Sequence, residues 1–122
     1  EEQKSCEGLI TEKELFRAIN SFSDGKSPGL DGIPVEVYRH FYSVFKVPML
    51  ECFNYSLTQG LLSDTQRKGI ISLLLKQGVD GKDKDPTLLD NWRPLTLLCC
   101  DTRILSKCLS LRVKSVIANI IN

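Results

Sequence analysis

One stretch decides the fold class: Gly69-Ile70-Ile71-Ser72-Leu73-Leu74-Leu75-Lys76. Its apolar run from Ile70 to Leu75 is too short for a typical helix, and it therefore predicts a strand. The run is also far shorter than the roughly 20 apolar residues of a membrane-spanning helix. A second apolar run, Leu95 to Leu98, lies across the polar loop 77–91 and predicts a second strand, which Pro94 restricts to an edge or entry position.

A helix is predicted on the N-terminal side of these strands. Thr11 and Glu14 have the spacing of a capping box, in which each side chain accepts a hydrogen bond from the other residue's backbone N–H. Leu15, Ile19 and Phe22 then lie on one helical face. This pattern predicts a first helix that ends at residues 23–25.

A second helix is predicted to begin at Pro34, because the missing N–H of proline costs nothing at a first helical position. An aromatic stripe follows at helical spacing: Tyr38, Phe41, Tyr42 and Phe45. We interpret this stripe as core rather than as a stacking platform for bases, because exposing all four rings would favour aggregation.

Pro48 is predicted to break or kink this second helix. A third helix is expected over residues 48–59, with Gly60 as its C-terminal cap.

The longest predicted helix runs from about Thr102 to Ile121, with Asp101 as its N-cap. Arg112 falls in the middle of the apolar stripe of this helix. The favoured interpretation is a long stem that lies over the core while the guanidinium reaches solvent. The alternative is a contact with protein outside this chain or with a buried carboxylate.

A separate stripe on this helix is basic and consists of Arg103, Lys107 and Lys114. It is about 16 Å long at 1.5 Å per residue. It is either a solvated face or a surface that binds phosphates.

Composition limits the class of protein. The 122 residues suffice for one domain or part of one, and 42% apolar with 25% charged residues is typical of a globular fold. Net charge is −4 over residues 1–65 and +5 over residues 66–122. This asymmetry indicates either an anionic partner for the second half or attraction between the halves. Five cysteines without a C-x-x-C pair predict no zinc or disulfide framework and a reducing compartment, nucleus or cytoplasm.

Candidates for chemistry are few. Asp80, Asp83 and Asp85 lack the glycine and glutamate of a calcium loop, and His40 has no ligand partner at metal spacing, so no metal site is predicted. Lys76 and Arg93 flank the two apolar runs. A mobile ammonium and a planar guanidinium on adjacent strands suit polyphosphate binding.

Three segments together resemble a known family. They are Lys26-Ser27-Pro28-Gly29-Leu30-Asp31-Gly32-Ile33-Pro34 with Val35-Glu36-Val37-Tyr38; Gly69 to Lys76; and Asn91-Trp92-Arg93-Pro94-Leu95-Thr96-Leu97-Leu98 leading into residues 101–115. In identity, order and separation they resemble the start of the reverse transcriptase domain of LINE-type (non-LTR) retrotransposons. The resemblance covers nearly the whole chain.

The resemblance implies the fingers subdomain of a right-hand polymerase. The domain would be partial, with helices and template loop in residues 1–65 and strand, loop, strand and long helix in residues 66–122. Nucleotide-phosphate binding falls on Lys76 and Arg93. Template binding falls on the loop residues Lys26, Ser27, Pro28, Gly29, Leu30, Asp31 and Gly32. The expected partners are template RNA, an RNA–DNA hybrid, a deoxynucleoside triphosphate in the complete enzyme and the missing palm, with no membrane.

The catalytic aspartates of that family belong to the palm, and neither palm motif occurs in this chain. Mg²⁺ is expected in the complete enzyme, with no cofactor in this chain. Neither Asp31 nor Asp101 can substitute, because one carboxylate cannot form a two-metal clamp. We expect no polymerase activity from these residues alone. The alternative is a truncated retroelement remnant that acts as a small helical protein-interaction module or has no function.

Overall fold

A computed structural model describes residues 6–121, apart from the side chain of Asn119. In that range the chain forms four α-helices and one antiparallel two-stranded sheet. In chain order they are α1 (Glu12–Asn20), α2 (Val35–His40), α3 (Tyr42–Gln59), β1 (Gly69–Leu75), β2 (Trp92–Leu98) and α4 (Cys100–Ile120). The predicted α+β class, mostly helical with a short two-stranded sheet, is confirmed. No described helix is long and apolar enough to span a membrane.

The predicted capping box starts α1. The Thr11 hydroxyl accepts a hydrogen bond from the Glu14 backbone N–H at 3.4 Å, and the Glu14 carboxylate accepts one from the Thr11 N–H at 2.9 Å. The helix then buries Leu15, Ala18 and Ile19. Local capping and apolar spacing therefore predict the start and the buried face of this helix correctly. The helix ends at Asn20 rather than at residues 23–25, so Phe22 lies beyond it.

The buried core is helical. Among the described helices α1 packs most extensively on α4. The largest fully buried side chains are Phe53, Leu15, Ile19, Ile104 and Cys108. Within residues 6–121 the two strands contribute no side chain to this buried cluster. The hairpin therefore projects from a helical body.

The boundary between α2 and α3 falls at Phe41, so the prediction of a helix break at Pro48 is wrong. Phe41 has φ −100° and ψ 31°, outside the helical region. Pro48 lies inside α3 and removes one backbone donor there. Met49 and Phe53 bury their side chains in the core just beyond the proline. That burial offsets the lost hydrogen bond.

This boundary also changes the aromatic stripe. Tyr38 is buried, and Tyr42 and Phe45 pack partly against the core. Phe41 is 51% exposed, so the prediction that all four rings are core is wrong at this residue. The physical reason is that the 100° spacing does not continue through a residue with non-helical backbone angles.

The start of α4 differs from the prediction too. Cys99 occupies the N-cap, and Asp101 lies within the first turn. One Asp101 oxygen accepts from the Thr102 N–H at 2.7 Å, and the other accepts from the Gln66 side-chain amide at 3.0 Å. The prediction of Asp101 as N-cap is wrong because this carboxylate binds the buried Gln66, which is distant in sequence.

Arg112 binds a carboxylate, so the favoured interpretation of a solvent-reaching guanidinium is wrong. The alternative of a carboxylate partner is confirmed, although Glu14 is half-buried rather than buried. Its side chain is only 9% exposed. Its Nε lies 2.5 Å from one oxygen of Glu14, and Nη2 lies 2.8 Å from the other. Its remaining donors bind the backbone carbonyls of Cys6, Gly8 and Leu9. Five hydrogen bonds match the five donors of a guanidinium.

Glu14 therefore has two roles, as capping partner and as ion-pair partner. The hydrogen bond from Arg112 is the main reason that the pKa of Glu14 falls from 4.5 to about 2, with the Thr11 hydrogen bonds contributing. Because the folded-state pKa lies below the unfolded value, the charged form stabilises the fold. This stabilisation is complete above the unfolded pKa and is lost as pH falls through the folded pKa.

We predict that Glu14→Gln lowers the free energy of unfolding at neutral pH by about 3 kcal/mol, because it leaves a buried guanidinium without its anion. The difference from the wild type should shrink as pH falls from about 5 to about 2. Urea denaturation followed by circular dichroism measures both values. Glu51→Gln, at an exposed position on α3, is the control. A difference independent of pH would contradict the ion pair.

Candidate nucleic-acid interface

The hairpin register places the two predicted phosphate-binding residues on one face. Arg93 pairs with Leu74, and Trp92 pairs with Leu75. The Lys76 N–H continues the ladder by donating to the Asn91 carbonyl at 2.7 Å. Because side chains alternate along a strand, Lys76 lies on the same face as Leu74, and therefore as Arg93, in a diagonal position.

The two cations differ in their present partners. Lys76 is a half-buried residue, and its ammonium donates to the Asp90 carbonyl at 2.6 Å. The Arg93 side chain is exposed, and among the described residues it has no hydrogen bond or ion pair. An incoming phosphate would thus meet a free guanidinium first and would compete with one carbonyl for the ammonium. Phosphate binding at these residues stays a prediction.

The predicted template loop packs on the junction between β2 and α4 through Gly29. Gly29 is buried, and a Cβ added to it would lie 2.4 Å from the Cys99 nitrogen and 2.5 Å from the Leu98 carbonyl carbon. Only glycine permits such a close backbone approach. The loop then turns, with the Gly32 N–H donating to the Gly29 carbonyl and the Asp31 carboxylate accepting from the Ile33 N–H.

Arg103 binds the same loop. Its guanidinium donates to the Ser27 carbonyl at 3.1 Å and lies 5.5 Å from the centre of the Phe22 ring. Arg103, Lys107 and Lys114 form the predicted basic stripe of α4. In the structure Arg103 already has intramolecular partners, Lys107 is half-buried and Lys114 is exposed. Of the three residues in this stripe, Lys114 is therefore the most accessible to an anion.

A cleft of about 390 Å³ lies between the loop and β2. It is lined by Lys26, Ser27, Arg103 and residues 95–98. The cleft is at the α4 end of the hairpin, whereas Arg93 is near the opposite end of β2. Along β2 the residues that line the cleft begin at Leu95, roughly 7 Å from Arg93, and end at Leu98, roughly 17 Å from it. The structure thus arranges the predicted site residues as two groups along one hairpin.

One cluster was missed by sequence reasoning. Ligand atoms of Asp31, Cys99 and Asp101 all lie within 4.8 Å of one another. The buried Tyr38 is close by, and its pKa is raised by burial, then by the charges of Asp101 and Asp31. The sequence does not indicate that the two aspartates are neighbours, because 70 positions separate them. Gly29 is the one feature of the sequence that indicates a close backbone approach here. Its packing against Cys99 brings Asp31 to the start of α4.

Comparison with known proteins finds a transposon protein among the relatives of this chain. No protein-family model matches the chain. The chain is 36% identical over 120 residues, 98% of its length, to the transposon TX1 uncharacterized 149 kDa protein of Xenopus laevis. It spans only 9% of the length of that relative. The similarity relates the chain to one part of a transposon-encoded protein. It does not test reverse transcription, because that relative is itself uncharacterized.

We predict that Gly29→Ala separates the loop from the β2–α4 junction, because backbone atoms at 2.4 Å and 2.5 Å leave no room for a methyl group. Overpacking of this kind costs about 1–3 kcal/mol. Urea denaturation gives the loss, and limited proteolysis near residue 29 reports loop release. Ser27→Ala is the matched control, because it retains the carbonyl that accepts from Arg103. Equal stability of the two variants would contradict the close approach.

Proposed function

We propose that the chain is part of an RNA-directed DNA polymerase, the reverse transcriptase of a non-LTR retrotransposon, and that it supplies the fingers contacts to template RNA and to nucleotide phosphates. The observation that carries the proposal is the hairpin register, which brings Lys76 and Arg93 to one exposed face. The family-like motifs and the similarity to a transposon protein over 98% of the chain support it.

Arg93 and Lys76 would each contact the triphosphate in a different way. The Arg93 guanidinium can bind two phosphate oxygens through its planar fork. The Lys76 ammonium would add a mobile positive charge next to it. Together they would neutralise and position the phosphates for attack by a primer hydroxyl bound elsewhere in the complete enzyme. These roles involve binding and orientation, so neither residue is a catalytic acid or base.

The template strand would lie along the loop and the hairpin. Along β2 the cleft beside Lys26 and Ser27 extends from roughly 7 Å to roughly 17 Å from Arg93, which is about two to five nucleotides at 3.4 Å per nucleotide of one strand. A nucleic-acid strand can therefore contact both groups of residues at once. The exposed Lys114 on α4 would add a backbone contact.

The magnesium chemistry of the complete enzyme does not fit the described residues. Two Mg²⁺ ions need several oxygen ligands, and a thiol is a poor ligand for this hard cation. The carboxylates of Asp31 and Asp101 approach each other beside the Cys99 thiol. We therefore assign no catalytic step to this chain and propose that it is inactive on its own.

We expect the chain to bind an RNA–DNA hybrid weakly, with an affinity that falls linearly in a log–log plot against salt concentration. Replacing Lys76 and Arg93 by alanine should reduce the magnitude of the slope by about 2, since each phosphate contact contributes about 0.9. Fluorescence anisotropy over a series of KCl concentrations measures this slope.

The control variant removes the same charge from another surface, through Lys13→Ala and Lys46→Ala on α1 and α3. An equal effect of both double variants would indicate non-specific attraction to a basic protein. Absence of binding at low salt would favour the alternative function.

That alternative is a protein-interaction module, and the exposure of the hairpin favours it. Ile71 is 70% exposed, and Leu73 and Leu74 are at least half exposed. Both strands also have a free edge, because the sheet has only two strands in the described part of the chain. An apolar two-sided hairpin is typical of a surface that another protein covers. In the complete enzyme the palm would be the covering protein.

We predict that the isolated chain self-associates through this hairpin. Ile71→Glu should shift the sedimentation coefficient towards that of the monomer, because it places a charge on the exposed apolar face. Val79→Glu is the matched control, since Val79 is an exposed apolar residue in the loop rather than on a strand. A monomeric wild-type chain at high concentration would contradict the prediction.

A further inference from the structure

The cluster of Asp31, Cys99 and Asp101 has the composition of a metal site. It combines two carboxylates and one thiol, with all three ligand atoms within 4.8 Å of one another. The three residues come from two parts of the fold: Asp31 from the turn of the loop of residues 26–32, and Cys99 and Asp101 from the N-cap and first turn of α4. A ligand bound here would therefore connect the loop to the helix.

The Cys99 thiol is a second observation, independent of the carboxylates, that indicates a bound metal ion. Cys99 is only 4% exposed, and its sulfur lies beside both carboxylates. Among the described residues that sulfur has no hydrogen-bond partner, although the neighbouring Cys100 sulfur accepts from Arg103 and the Cys108 sulfur donates to the Glu14 carbonyl. A buried thiol without a partner, close to two anions, is placed as a metal ligand would be.

The Asp101 carboxylate is already oriented for such a role. Gln66 donates to one of its oxygens, and the N–H and hydroxyl of Thr102 both donate to the other, so a lone pair stays free on the oxygen that Gln66 binds. Hydrogen bonds of this kind hold metal-binding carboxylates in place and raise metal affinity. Asp31 lies on an exposed turn and can move towards the other two residues.

We propose that Asp31, Cys99 and Asp101 bind a divalent transition-metal ion, best fitted by Zn²⁺, and that the ion joins the template loop to the start of α4. Mixed oxygen and sulfur ligands suit Zn²⁺ and Co²⁺, whereas Mg²⁺ and Ca²⁺ require oxygen. Three protein ligands and one water would complete a tetrahedral site. Binding releases the thiol proton to solvent, so that sulfur coordinates as thiolate.

The geometry requires only a small closure. Bond lengths of about 2.0 Å to oxygen and 2.3 Å to sulfur separate tetrahedral ligands by roughly 3.5 Å. Since all three ligand atoms already lie within 4.8 Å of one another, no pair has to approach by more than about 1.3 Å. Gly29 already places the loop backbone in contact with Cys99, so the turn that follows it can supply this movement. The inference does not depend on the proposed polymerase function.

The test uses the chain with Cys6→Ser and Cys52→Ser, which removes the two cysteines that are not buried. Co²⁺ should produce the sulfur-to-cobalt charge-transfer absorption of a thiolate complex, and Zn²⁺ should displace it while Mg²⁺ should not. Isothermal titration with Zn²⁺ gives the affinity, and a thermal melt with and without Zn²⁺ reports stabilisation of the fold.

Two variants locate the site. Cys99→Ser retains a good N-cap and should abolish the charge-transfer band. Asp31→Asn retains an acceptor for the Ile33 N–H and should lower the affinity for Zn²⁺ by at least about tenfold. Asp83→Asn, in the acidic loop between the strands, is the control and should bind Zn²⁺ as the parent does. Circular dichroism confirms that each variant folds.

The proposal is overturned if Co²⁺ gives no charge-transfer band, if the band persists in Cys99→Ser, or if Asp31→Asn binds Zn²⁺ as tightly as the parent. A thermal shift that is equal in the parent and in both variants would also overturn it, because the ion would then be bound elsewhere.

Discussion

The contact between Arg112 and Glu14 organises the helical body. It joins α4 to the first turn of α1, and the same guanidinium binds backbone carbonyls of the segment before α1. Glu14 also closes the capping box, so one carboxylate satisfies both the start of a helix and a buried cation. Removing the Glu14 charge would leave a buried guanidinium without its anion, at a cost greater than that of a surface ion pair. The packing of α1 on α4, on which the core depends, is built around this pair.

The hairpin has a different relation to the core. Its strands pair well with each other but bury none of their large side chains in the helical body. Stability therefore comes from the helices, whereas Lys76, Arg93 and the exposed apolar side chains are presented outside them. Such separation is suited to a function that depends on contact with a larger partner, whether nucleic acid or protein. It also explains why both proposed functions are located on the same element.

The close approach of Gly29 to the β2–α4 junction links these two parts. Through it the loop of residues 26–32 lies against the end of the hairpin and the start of α4. The cleft beside Lys26 and the cluster of Asp31, Cys99 and Asp101 both result from this contact. A residue with a side chain at position 29 would separate them, so a single glycine controls the geometry of the candidate site. This explains in physical terms why a glycine occurs at this point of the loop.

The sequence by itself determined the features that depend on near neighbours. The capping box of Thr11 and Glu14, the strand of residues 70–75 and the left-handed cap at Gly60 follow from interactions within a few residues, and local patterns predict them. Only the tertiary structure decided the features that depend on distant partners. Arg112 finds Glu14 across 98 positions, Asp101 binds Gln66 instead of capping α4, and burial of Met49 and Phe53 keeps Pro48 inside a helix. Such pairings are set by which surfaces the whole chain brings together, and no local spacing encodes them.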